Sequence, residues 1–235
     1  MDPTPWPPSV CFVSAHLDDA VLSCGHAIAA HPSPDVLTVF TDAPPVERTD
    51  GWNHATTGQS FAPAAQGVRR VEDLAALTAL GATAHWLGLF EAEYRHDADD
   101  DPDRLRSSIR DALRTAIDAH GFTALVAPVG LRHVDHVATS DACLSLAAEG
   151  AQRWWLALDQ PYAATSPELV DERLAAIRDC GFELEEADMA APMVDDKVSM
   201  FRRYASQFEA VREDHSGFDE AMSASERYWV VRPAY

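Results

Sequence analysis

SVCFVSAHLDD, residues 9–19 of a 235-residue chain, is the stretch on which the fold turns. Ser9 to Ala15 is apolar and β-branched, and it is too short for a helix, so it predicts a buried strand. The acidic pair that follows predicts a helix over Asp19 to Ala30, with Asp18 or Asp19 near its N-cap. A strand that runs straight into a helix opens a βαβ unit. Working outward, DVLTVFT (35–41) predicts a second strand. Residues 42–64, rich in Pro, Gly, Thr and Asn, predict a long loop of the kind that serves as a lid or binding segment. Helices are expected over 65–80 (closed by Gly81), 102–120 (closed by Gly121), 134–148, 168–180 and 194–208, and strands over 83–87, 122–127, 154–158 and 182–187. The alternation predicts one α/β domain over residues 1–235, a mainly parallel sheet with helices on both faces.

Composition narrows the function. Eighteen Lys+Arg against 38 Asp+Glu give a net charge of −20. Such a surface repels phosphate backbones and anionic bilayers, which argues against a nucleic-acid or membrane-surface protein. Lys197 is the only lysine, no basic cluster occurs, and the first positive side chain is Arg48. The near absence of lysine points to a GC-rich genome. Cys11, Cys24, Cys143 and Cys180 form no CxxC pair, so they read as small buried hydrophobes in a reducing, cytoplasmic setting. The start, MDPTPWPPSV, lacks the basic and apolar regions of a signal peptide, and no run of about 18 apolar residues predicts membrane insertion. Nothing in the pattern specifies an oligomer.

In a parallel α/β sheet the ligand lies beyond the carboxyl ends of the strands. No GxGxxG follows the first strand, and neither GxxxxGK[ST] nor GxSxG occurs. Two other segments stand at strand ends: Ala15-His16-Leu17-Asp18-Asp19, and Gly130-Leu131-Arg132-His133-Val134-Asp135-His136. His16 and Asp19 are three apart at a strand-to-helix turn, as are His133 and His136. Two His and one carboxylate with an open fourth position is the pattern of catalytic zinc, and a spare carboxylate, Asp18, could take the proton of an acidified water. The competing interpretation is that His16, Asp18 and Asp19 only cap the helix and complement its dipole.

HLDD after the first strand and HVDH after a later one resemble the AHPDD and HPDH motifs of the LmbE-like (PIG-L) de-N-acetylases. Further segments match in order: Arg70-Val-Glu-Asp73, WLGLFEAEYR (86–95), Gln160-Pro-Tyr162, Lys197 with Tyr204-Ala-Ser-Gln207, and Glu226-Arg-Tyr-Trp229. The resemblance covers nearly the whole chain. It implies a Rossmann-like three-layer fold and zinc-dependent removal of acetyl from a GlcNAc-type amino-sugar conjugate. His16, Asp19 and His136 would be the metal ligands, with iron(II) an alternative to Zn2+. Asp18 would be the general base, His133 would hold the oxyanion and Asp135 would orient His133. Arg70 would bind a sugar hydroxyl or phosphate, and Glu91, Glu93 and Tyr94 would contact the sugar. Two other functions share these motifs: an amidase acting on sugar–thiol conjugates, and a non-catalytic sugar-binding module. The lysine-poor composition fits a specialised-metabolite substrate. Leu17 and Val134 replace the prolines of the two motifs, and Ala43-Pro44-Pro45 replaces the usual glycine after Thr41-Asp42.

Two features invite other interpretations. Asp97, Asp99 and Asp101 hint at a calcium loop, but Pro102 and Ser108 stand where such a loop needs glycine and glutamate, so a solvated acidic stretch ahead of a helix is expected. Trp52 in the long loop either stacks a sugar or packs against the domain. Trp154 and Trp155 cannot face the same side of a strand, so at least one belongs to the core.

Overall fold

The structure, a computed structural model, describes residues 6–95, 101–189 and 196–234. The elements are β1 (Val10–Ser14), α1 (Asp19–Ala30), β2 (Asp35–Asp42), α2 (Trp52–Thr57), α3 (Ala62–Ala79), β3 (Thr83–Phe90), α4 (Pro102–His120), β4 (Ala124–Pro128), α5 (Val134–Ala147) and β5 (Arg153–Ala157). They continue with α6 (Tyr162–Thr165), α7 (Pro167–Asp179), β6 (Phe182–Ala187), α8 (Lys197–Phe201), α9 (Phe208–Asp214), α10 (Phe218–Ser223) and β7 (Tyr228–Pro233). The strands form one sheet in the order β3-β2-β1-β4-β5-β7-β6. Pairing is parallel from β3 to β5, and β7 runs antiparallel to both its neighbours.

Strand alternation divides the core into two layers. Cys11 and Val13 of β1 pack with Ile109 and Leu113 of α4, Cys143 of α5 and Leu174 of α7. Val10 and Phe12 face the other way, onto Val21 and Ile28 of α1, Leu77 of α3 and Phe201 of α8. Covering both faces buries both tryptophans of β5, Trp154 in the first layer and Trp155 in the second. Each fully buried side chain of this size contributes about 1.5–3 kcal/mol. The chain crosses from β1 to β2 and β3 on one side and to β4 and β5 on the other, so the sheet's switch point lies between β1 and β4, where a crevice opens at the strands' carboxyl ends.

Several boundaries differ from the sequence expectation. The predicted loop 42–64 contains α2, and α3 begins at Ala62. The helix expected over 194–208 is α8 alone, followed by turns; its first two positions fall outside the described residues. Tyr204 and Gln207 are fully buried there and bond outside the helix, Tyr204 to Asp73 and Gln207 to Trp52 and Thr56, so tertiary hydrogen bonds override helical continuation. The sheet has a seventh strand, β7, wedged between β5 and β6. Asp101 caps α4 by accepting from the Arg104 amide at 2.8 Å, while Asp97, Asp99 and Asp100 lie outside the described residues. Cys180 is exposed, unlike the other three cysteines.

The C-terminal segment also repairs a break in α1. Cys24 has non-helical angles (φ −130°, ψ 16°), and the Glu226 carboxylate accepts from the amides of His26 at 2.9 Å and Ala27 at 3.0 Å. Glu226 also accepts from the Tyr228 hydroxyl at 2.7 Å and pairs with the buried Lys197 ammonium at 3.1 Å. Removing one partner of a buried ion pair strands the other charge. Glu226→Ala should cost about 3–5 kcal/mol in urea unfolding. Glu226→Gln with Lys197→Met should cost less than the sum of the two single changes.

Candidate active site and metal centre

The β1–α1 turn presents the first half of the site. The Ser14 hydroxyl donates to the His16 carbonyl at 2.7 Å and accepts from the Ala20 amide at 3.1 Å. Asp19 Oδ2 accepts from the His16 amide at 2.8 Å. These bonds do the capping, so the Asp18 side chain makes no cap bond. Asp18 has φ 126°, an unfavourable conformation for a non-glycine residue and one that clusters at functional sites. Asp18 thus holds the N-cap position of α1, its carbonyl accepting from the Val21 amide at 3.0 Å and the Leu22 amide at 3.1 Å, while its carboxylate takes no part in the capping.

The second half comes from the turn between β4 and α5. Gly130 has φ 89°, and a Cβ there would meet Ser140 Cβ at 2.7 Å and the His136 carbonyl at 3.1 Å, so only glycine fits. His133 caps α5, its Nδ1 accepting from the Asp135 amide at 3.2 Å.

The two turns meet at Asp19. Its Oδ2 lies 3.2 Å from His16 Nδ1 and 3.0 Å from His136 Nε2. The far nitrogen of each imidazole is held by a buried carboxylate: His16 Nε2 lies 2.9 Å from Asp135 Oδ2, and His136 Nδ1 lies 2.8 Å from Asp159 Oδ1. Asp159 also accepts from the Gly130 amide at 2.9 Å. Asp135 pairs with Arg95 at 2.7 Å and accepts from the Ala92 amide at 2.9 Å.

Here a sequence expectation needs correction: Asp135 orients His16 rather than His133. The Asp135 carboxylate is 3.9 Å from His133 Nδ1, and only its backbone amide reaches that ring. At N2 of α5 the side chain turns back toward β1, where Arg95 and His16 await it.

The electrostatics follow from burial against these pairings. Burial alone would push the Asp19 carboxyl up, but His136 and His16 hold it well below the usual range. Burial would lower both imidazoles, yet Asp135 and Asp19 raise His16, and Asp19 with Asp159 raises His136 to about 9. Burial pushes the Asp18 carboxyl up to about 8, against the pull of Arg69. Burial and the positive His16 beside it push His133 down to about 4, which keeps that ring neutral.

A cleft of about 490 Å3 opens here, lined among others by His16, Asp18, Asp19, Trp52, Glu91, Glu93 and His133. Arg70 does not line it: its guanidinium bonds the Thr41 carbonyl at 2.6 Å and pairs with Asp42 at 3.3 Å. Its neighbour Arg69, about 100° around α3, points inward instead. Arg69 contacts Glu91 at 2.8 Å, Asn53 at 2.8 Å, the Leu17 carbonyl at 3.1 Å and Asp18 at 3.8 Å. Glu91 thus holds Arg69, Gln66 and Asn53 in place. Glu93 accepts from the Trp52 and Asn53 amides. Tyr94 is buried outside the cleft lining. Sequence reasoning missed Asp159, Arg69 and Asn53; only Asp159, just past the end of β5, stands where strand-end logic could have found it.

A family profile, the GlcNAc-PI de-N-acetylases (PIG-L), matches residues 11–147. The chain belongs to this family. It is an amide hydrolase of the de-N-acetylase type. Solved structures agree. The A40926 pseudoaglycone deacetylase Dbv21 is 28% identical with a TM-score of 0.75, covering 97% of this chain and 98% of that one. The zinc-inhibited form of teicoplanin deacetylase Orf2 is 25% identical with a TM-score of 0.72, covering 96% and 98%. The N,N'-diacetylchitobiose deacetylase from Pyrococcus horikoshii, 16% identical with a TM-score of 0.55 over 95% and 83%, shares the fold. No curated protein matches the chain. Among the described residues no helix is long and apolar enough to cross a membrane.

Two groups of side chains bring ligand atoms within 4.8 Å of one another: His16, Asp19 and His136, and His16, His133 and Asp135. The first fits a divalent metal ion. His16 Nδ1 and His136 Nε2 both turn toward Asp19 Oδ2, at 3.2 and 3.0 Å, and each imidazole is backed by a carboxylate, the usual support of a metal-binding histidine. In the second group Asp135 is already committed to Arg95 and Ala92, and the His133 side chain is 39% exposed. The field that favours a proton on His16 and His136 equally favours a cation between them. Asp159→Asn should weaken metal binding about 10–100-fold, measured by competition with a chelator. His136→Ala should abolish stoichiometric metal content.

Proposed function

We propose that the protein removes the N-acetyl group from a GlcNAc-type amino sugar carried on a larger conjugate, in the cytoplasm and in the service of specialised metabolism. The observation that carries this is the arrangement of His16, Asp19 and His136 around one point, with the Asp18 carboxylate, which makes no cap bond, beside them. A divalent ion on these three residues, zinc in the first instance, would supply an acidified water and a Lewis acid. Asp18, whose burial raises its affinity for protons, takes the proton of the attacking water and passes it to the leaving amine. His133 keeps its proton on Nε2, because Nδ1 accepts from the Asp135 amide. That N–H donates to the oxyanion formed from the acetyl carbonyl. Arg69, through Glu91 and Asn53, fixes the floor beside Asp18, and Glu93 and Trp52 form the wall against which the sugar ring rests.

The glycopeptide antibiotic deacetylases among the solved structures, similar along nearly the whole chain, support a glycosylated antibiotic intermediate as the conjugate. The test is acetate release from GlcNAc, nucleotide-linked GlcNAc, lipid-linked GlcNAc, a sugar–thiol conjugate and N-acetylglucosaminyl glycopeptides. The glycopeptides should give the highest kcat/KM, and no acetate from any of them would overturn the proposal. Asp18→Asn should keep its metal while kcat falls by about 10²–10⁴. Loss of metal in that variant would make Asp18 a ligand instead.

A further inference from the structure

The cleft sits in a protein of net charge −20, yet the arginines around it are nearly all engaged internally. Arg69 is held by Glu91, Asn53 and Leu17, Arg95 pairs with Asp135 and lies over Phe40, and Arg70 is turned away onto Thr41 and Asp42. Arg132 differs. It lines the cleft, it is exposed, and no described residue pairs with it. It also has φ 59°, the left-handed conformation that favours glycine. The position directly precedes His133, the cap of α5, so the guanidinium adds to the positive end of that helix.

We propose that Arg132 is a specificity-determining residue that binds a carboxylate on the part of the conjugate beyond the amino sugar. This rests on the function proposed above: with the acetyl group at the metal-binding residues and the sugar against Glu93 and Trp52, the remainder of the conjugate extends toward the exposed rim of the cleft, where Arg132 lies. A guanidinium presents two parallel N–H donors that match the two oxygens of a carboxylate. A carboxylate carries one charge, whereas a phosphate monoester carries nearly two and meets more opposition from an acidic surface. Asp214 also lines the cleft and is exposed, which disfavours a second anionic group there.

The experiment compares three N-acetylglucosaminides with the metal-loaded enzyme: 4-carboxyphenyl, 4-carboxamidophenyl and 4-phosphophenyl. Acetate release gives KM and kcat, and calorimetry gives Kd for the matching deacetylated glucosaminides, which requires no turnover. The carboxylate should be favoured over the carboxamide by about five- to tenfold in KM and in product Kd, with the preference shrinking at high salt. Arg132→Gly suits the backbone and should bring the ratio to about one, while Arg132→Lys should keep part of it. A ratio near one in the parent protein, a ratio that survives Arg132→Gly, preference for the phosphate, or no measurable product binding would each overturn the proposal. Acetate release without discrimination would leave the deacetylase function standing and remove the role of Arg132. A discriminating product Kd without acetate release would do the reverse.

Discussion

Among the described residues, five buried carboxylates, Asp18, Asp19, Glu91, Asp135 and Asp159, converge on the switch point of the sheet, and two guanidinium groups, Arg69 and Arg95, are buried with them. Charges cannot be held out of water without compensation. The surplus is organised around Asp19, between two imidazoles, and those imidazoles are the groups through which it can be neutralised, by protons or by a divalent ion. The fold depends on this arrangement, because β1, β4 and β5 each contribute a piece at their carboxyl ends. His16 follows β1, His133 and His136 follow β4, and Asp159 follows β5. The parallel order of these strands brings the three ends to one edge.

The residues that were legible in the sequence share one property: their positions follow from local geometry. His16 and Asp19, or His133 and His136, lie within a single strand-to-helix turn, and the spacing alone aims each pair at a common point. Arg69 and Arg70 show where that logic stops. They are adjacent on α3, either could have faced the sugar, and only the placement of α3 beside the β1–α1 turn and the α2 segment turns Arg69 inward. Asp135 shows the same limit at finer scale. The family resemblance implied His133 as its partner, whereas the space between the β1–α1 turn and α5 supplied another, His16.

The fold follows a similar division. Up to β6 the sequence pattern anticipates the strands and the long helices, and misses only the short α2 and α6. Beyond residue 189 the elements are short and owe their shape to distant partners: Glu226 to the His26 and Ala27 amides, Tyr204 to Asp73, and Gln207 to Trp52. These ties run from the C-terminal segment to α1, α3 and α2, so the last fifth of the chain acts as a clasp over the elements that precede it. Such contacts leave no periodicity to read, and β7, an apolar strand entered from a loop, pairs antiparallel with both β5 and β6.

The Asp18 turn explains how the motif tolerates losing its proline. Its backbone conformation costs about 1–3 kcal/mol, so something must hold it there. A proline at position 17 would stiffen the turn just before it by fixing its own φ. Leu17 instead is fully buried, and its carbonyl accepts from Arg69, whose guanidinium is itself clamped by Glu91. Ser14 and Asp19 secure the turn on either side by bonding the amides of Ala20 and His16. The constraint has passed from one residue's covalent ring to a buried hydrogen-bond network. That network also keeps Asp18 dry and close to a guanidinium, so the same contacts that tolerate the strain set the proton affinity on which the proposed chemistry depends.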